Sequence, residues 1–181
     1  MALSVVNVGS PRKCAAVDWA EVQLAQFEHD EKYHREISRL SVQDRLRHMA
    51  LHFAKYAGRL QEDSSNLTFK KVATDSLIIA ISSANILNID LTTEGLDCAS
   101  SDSAREGFAK RLAIAAGRMA GACERLDHLE DFPFRAAITA EVLSILRACI
   151  DLFDAEGWLL AQEREKRLAP VKAKSIFHGK I

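Results

Sequence analysis

The sequence predicts an all-α chain: a four-helix core from two pseudo-repeated antiparallel helical hairpins, with flanking helices. Three observations carry this. Apolar residues recur at three- and four-residue steps, as in Leu46, Met49, Ala50, Phe53, Ala57 and Leu60. Pairs of the helix-capping type, Asp18 with Glu21, Ser41 with Asp44 and Ser103 with Glu106, precede such segments. No stretch shows the alternation and turn residues of a hairpin sheet.

Residues 1–15 read as a flexible leader, with Gly9 and Pro11 breaking any pattern. A first helix starts at Asp18 and runs to about Ile37. The second starts at Ser41, carries one apolar face, and is ended by QEDSSN. The third, about 69 to 88, is apolar nearly all round and therefore central. A polar connection from Asp90 to Asp102 separates the two halves. The fourth helix starts at Ser103 and runs to about Asp127. Pro133 suits the first turn of a fifth, and Gly157 its end. A short sixth helix, about 158 to 168, is stopped by Pro170, and 169–181 form a basic tail. Residues 16–168 thus make one helical domain with pseudo-repeats at about 41–91 and 104–160.

The repeat is visible in the letters. HMALHFAKYAGRLQED precedes KKVATDSLIIAISSANILNIDL, and KRLAIAAGRMAGACERLDHLED precedes RAAITAEVLSILRACIDLFDAEGWLL. The AGR of 57–59 recurs at 116–118, and Asp75 has its counterpart in Glu141. Such symmetry would let one chain imitate a dimer of shorter chains.

Composition narrows the function classes. With 24 Lys and Arg against 25 Asp and Glu, no broad nucleic-acid or membrane surface is expected from net charge. Cys14, Cys98, Cys123 and Cys149 are isolated, which excludes a zinc ribbon or a CxxC redox site and fits idle thiols in the cytoplasm. The apolar stretch Val72 to Leu91 contains Asp75, Asn85 and several serines, so it reads as a core helix and not a membrane span. No secretory signal is read at the N-terminus.

The first hairpin resembles the MazG-like, all-α nucleoside triphosphate pyrophosphohydrolases. The residues carrying the resemblance are VATD, ending at Asp75, then Asn85 in SSANILNIDL, and LHFAKYAGRL upstream. In that family ExxE on one helix and ExxD on the next hold Mg²⁺, which binds the triphosphate and activates water. Here His52 and Lys55 stand where ExxE belongs, and Val72 replaces the first acid of ExxD. The tail SIFHGKI is similar to basic family tails that approach substrate phosphates, which makes Lys174, His178 and Lys180 candidate phosphate contacts. The resemblance covers about residues 41–91 and the tail. It implies a degenerate site of His52, Lys55, Asp75 and Asn85, with no metal expected.

The replacement has its own chemistry. Arg45, His48, His52, Lys55 and Arg59 form a basic stripe on one helix. Asp75 and Ser82, seven apart, share a face of the next helix. A buried carboxylate needs a partner, so Asp75 is expected to pair with Lys55 or His52. Alternatively the stripe, His48 and Arg59 included, binds phosphate, or it is a solvated face. His48 and His52 have the spacing of a zinc pair but lack the HExxH glutamate, and a satisfied or surface pair is expected. In the second half Arg111, Arg118 and Arg125 recur every seven residues, beside Glu141 and Asp151. Arg118 with Glu141 is the expected echo of the first-half pair. EREKR at 163–167 is read as a solvated helix face.

The expected function is a MazG-like protein with a degenerate metal site that binds a nucleotide or phosphate with little or no catalysis and forms a possible homo-oligomer. Two alternatives stand beside it. One is an active Mg²⁺-dependent pyrophosphohydrolase using Glu62, Asp63, Asp75, Glu141 or Asp151. The other is a helical adaptor protein.

Overall fold

The computed structural model describes residues 17–96 and 104–175. These residues form α1 (Trp19–Tyr33), α2 (Arg35–Ser38), α3 (Val42–Glu62), α4 (Asn66–Ile86), a 3₁₀ turn (Leu91–Thr93), α5 (Ala104–Asp127), α6 (Phe134–Glu156) and α7 (Leu160–Lys174). There is no strand among the described residues, and the chain is all-α. No helix among them is long and apolar enough to cross a membrane.

Local chemistry sets the boundaries. The Glu21 amide donates to Asp18 Oδ1 at 3.0 Å, and the Asp44 amide to Ser41 Oγ at 3.1 Å. Both satisfy donors that the first helical turn leaves unpaired. Ser65, not singled out from the sequence, caps α4 through the Thr68 amide. The expected Ser103 cap lies outside the described residues. Pro133 is the N-cap of α6, and Gly157 ends it in the left-handed region at φ 66°.

Two expected boundaries are corrected. The first helix does not continue to Ile37: His34 leaves helical geometry (φ −133°, ψ 41°) and a separate turn, α2, follows. This break puts Ile37 and Ser38 into the wall of a cavity. Nor does Pro170 stop the last helix, which runs four residues further, to Lys174. Proline removes one helical hydrogen bond. Packing offsets that loss, since Leu168 is buried and Val171 reaches the same cavity wall.

The core sits among α3, α4, α5 and α6. Helix α3 packs on α4 and α5, and α6 packs on the same two, so the four helices close a ring. The three-residue link between α3 and α4 makes that pair antiparallel. Phe53, Leu77, Ile81, Phe108, Met119 and Ile145 are fully buried within it. Each such side chain contributes about 1.5–3 kcal/mol of burial free energy. As its composition implies, α4 is buried along most of its length. Helices α1 and α7 lie on α4 outside the ring. Between them and α3 a space remains, and the candidate site lies there.

Candidate functional site

A cavity of about 330 Å³ opens between α1, α2, α3, α4 and α7. Apolar wall comes from Ile37, Met49, Ile78, Ile79, Ile86 and Leu168. Polar wall comes from histidines on α1 and α3, from Arg45, and from Asp30, Asp75 and Arg167. A concave, partly apolar space with a few convergent polar groups is the usual form of a small-molecule site.

Asp75 is buried, at 7% exposure. Its partner is neither Lys55 nor His52. Arg167 of α7 grips it with two bonds, Nε to Oδ1 at 2.5 Å and Nη2 to Oδ2 at 3.0 Å. The fork geometry of guanidinium suits a carboxylate better than an ammonium does. Lys55 is exposed, its Nζ lying 3.2 Å from His52 Nδ1 and 4.8 Å from the Tyr56 ring centre. The solvated-face reading of EREKR is corrected with it. Besides Arg167, Arg164 is buried and donates to Gln26 Oε1 at 3.3 Å, and Glu163 pairs with Lys70 at 2.9 Å.

The histidine pair is a hydrogen-bonded chain. His52 Nε2 and His48 Nε2 are 3.0 Å apart, and His52 Nδ1 is 3.1 Å from the Tyr56 hydroxyl. Burial, and then Lys55, pull the His52 pKa down to about 4 and lower that of His48 as well. Burial and the nearby Asp75 raise the Tyr56 phenol. Both imidazoles are therefore neutral at neutral pH.

Helix α1 supplies what the sequence reading missed. Asp30 accepts from Ser82 Oγ at 2.7 Å and from Gln26 Nε2 at 2.8 Å, and burial raises its pKa. His29 is 4% exposed, and neither ring nitrogen has a hydrogen-bond partner among the described residues. Burial, with His34, Lys172 and Arg164 nearby, lowers its pKa to about 4. Arg45 on α3 is half-buried, its Nε has no solvent contact, and that atom too lacks a partner. The available signal was phase: Val22, Gln26 and His29 fall on the buried stripe of α1, and two of the three are polar.

The remaining expected residues separate. Asn85 lines the cavity but spends its amide on α1, accepting from Gln23 Nε2 at 2.9 Å and donating to the Gln23 carbonyl at 3.0 Å. Arg59 and Lys174 are exposed, and neither is in the cavity wall. His178 and Lys180 lie outside the described residues. Arg118 pairs with Glu141 at 3.2 Å and Arg111 with Asp151 at 3.5 Å, on the α5–α6 side away from this cavity. Asp63 caps the α3–α4 link by accepting from Ser65 and Thr68. Among the described residues no three His, Cys, Asp or Glu side chains gather so as to hold a metal ion.

Compared with protein-family models, with curated proteins and with solved structures, the chain matches none.

Proposed function

We propose that the cavity binds a small anionic ligand, a nucleotide or another phosphorylated compound, and that the chain is a MazG-like protein whose metal site has degenerated. The observation that carries the reading is Arg45. A guanidinium that is half-buried in a cavity wall, its Nε without a hydrogen-bond partner among the described residues, is costly unless a ligand supplies the anion. His29, deep in the same wall with both nitrogens unpartnered, offers one donor and one acceptor to the rest of the ligand. The apolar side, Ile37, Met49 and Ile79, suits an uncharged ring.

The same proposal makes the protein a binder with little or no hydrolytic activity. Both Asp75 oxygens face a guanidinium, and the Lys55 and Arg59 charges nearby oppose a cation. Its further parts are duplicated hairpins α3–α4 and α5–α6, a cytoplasmic setting and a homo-oligomer. Light scattering on purified protein tests the last of these.

The test is a thermal-shift and NMR titration with nucleoside triphosphates, nucleoside monophosphates and inorganic phosphate. Stabilisation of wild type, lost in Arg45→Met, is the expected result. Robust Mg²⁺-dependent release of pyrophosphate, abolished in Asp75→Ala, would overturn the non-catalytic reading in favour of a working hydrolase.

A further inference from the structure

Hydrogen-bond direction along Lys55, His52 and His48 is fixed by chemistry. An ammonium only donates, so His52 Nδ1, 3.2 Å from Lys55 Nζ, is an acceptor and carries no proton. The neutral ring then bears its proton on Nε2. That N–H points along the 3.0 Å contact to His48 Nε2, which must accept. His48 therefore carries its own proton on Nδ1. The Tyr56 hydroxyl, 3.1 Å from His52 Nδ1, donates to it as well.

This arrangement has room for one more proton and no second. A proton arriving at His52 Nδ1 leaves the Nε2–H···Nε2 bond intact, provided Lys55 swings away and Tyr56 turns its oxygen to accept. A second proton, on His48 Nε2, would set two N–H groups against each other across 3.0 Å. We infer that the His48–His52 pair is a proton-linked clasp on the cavity: an anion bound at Arg45 draws one proton from solvent onto the pair. The inference rests on the anionic-ligand reading above.

The surrounding charges explain why the proton waits for the ligand. On α3 itself Arg45 lies three residues before His48, and Lys55 and Arg59 lie beyond His52. All three are cationic and oppose a further positive charge. On α4, Asp75 is already held by Arg167 of α7. On α1, Asp30 is held by Ser82 and Gln26, His29 is buried and neutral, and Glu31 is exposed to solvent. Glu36 of α2, 3.9 Å from His34, favours charge on His48, but burial, Lys55 and His34 outweigh it, and His34 opposes charge on His52 as well. Among the described residues the wall carboxylate without such a partner, Glu31, is solvent-exposed, so no buried carboxylate is left to balance an imidazolium. A bound dianion supplies that balance, and the lowered pKa values of both histidines move back up.

The probe is sulfate, which stays a dianion across the range and takes up no proton itself. Binding to the full chain is followed by chemical shift at Arg45 and by histidine ¹⁵N shifts, at about pH 7.5 and about pH 5.5. Affinity is expected to rise by up to about tenfold per pH unit on acidification, with one proton taken up per sulfate. In free protein the His52 Nε2–H and His48 Nδ1–H tautomers should be seen directly. The double variant His48→Gln/His52→Gln, which removes both protonatable rings, should bind sulfate with no such pH dependence. Lys55→Met, a change at an exposed residue that keeps the fold, should shift the pH window upward because its ammonium no longer opposes the proton. Equal affinity at both pH values would overturn the inference and leave the anion reading standing. A pH dependence unchanged in both variants would also overturn it. Absence of any sulfate response at Arg45 at either pH would overturn both.

Discussion

Arg167 and Asp75, 92 residues apart in sequence, meet in a two-pronged ion pair that fixes the last helix to the middle of α4. The Asp75 side chain is 9% exposed and the Arg167 side chain 35%. The pair thus lies between a surface contact and a buried one.

That intermediate position sets the size of the first prediction. Exposed pairs contribute at most about 1 kcal/mol, and breaking fully buried ones costs about 3–5 kcal/mol. Arg167→Met should therefore lower stability by about 2 kcal/mol. Adding Asp75→Leu should recover most of it, whereas Lys55→Met should change stability by less than about 0.5 kcal/mol. A urea-denaturation cycle over these variants measures the coupling.

Gln23 clamps α1 to the end of α4. Its Nε2 donates to Asn85 Oδ1 at 2.9 Å and to the Ile89 carbonyl at 2.8 Å, and its Oε1 accepts from the Leu91 amide at 2.9 Å. Gln23→Ala leaves these groups without partners, at a cost of about 1–3 kcal/mol. Native-state hydrogen exchange should show the Leu91 amide losing protection before the α4 core does.

Acid should destabilise the fold through its neutral histidines. His29 has a folded pKa near 4 against an ordinary 6.5. Between these values the unfolded chain binds more protons, so stability falls as pH drops below about 6.5, and the loss is complete near pH 4. The slope for one such group is at most about 1.4 kcal/mol per pH unit. Chemical denaturation across this range should give a shallower slope for His29→Phe than for wild type.

Two backbone substitutions should have opposite signs. Gly157 ends α6 at φ 66°, and a Cβ there would meet nothing within 4 Å. Gly157→Ala should cost about 1 kcal/mol from backbone conformation alone. Pro170→Ala restores a donor inside α7 and should stabilise by about 1 kcal/mol or more. Thermal unfolding distinguishes the two directions.

The all-α class was legible because the segments carry apolar residues on helical phase, and because caps such as Asp18 and Ser41 mark the starts of α1 and α3. The cavity was legible only along α3 and α4, where His48, His52, Asp75 and Ser82 fall on consistent faces. The partner of Asp75 was not. Nothing local to Arg167 distinguishes it from Lys166 beside it, which pairs with Glu163 at the surface. Which of them turns inward depends on how α7 docks, and that is settled by Leu168 and Arg164 burying against α1 and α4. His29 escaped notice for a related reason: a polar residue on a buried stripe reads as a break in the pattern until the space beside it is seen.

The last helix gives the cavity a place in time as well as in space. Its wall on that side, Arg167, Leu168 and Val171, belongs to the last stretch of described chain. The contacts that seat it span 92 residues to Asp75 and 138 to Gln26. Such distant contacts carry the largest loop-closure cost and form late. During synthesis α7 leaves the ribosome after α3 to α6, so the ring can close before the cavity has its last wall. Ligand added to ribosome-bound chains of increasing length should begin to protect them from proteolysis only once α7 has emerged.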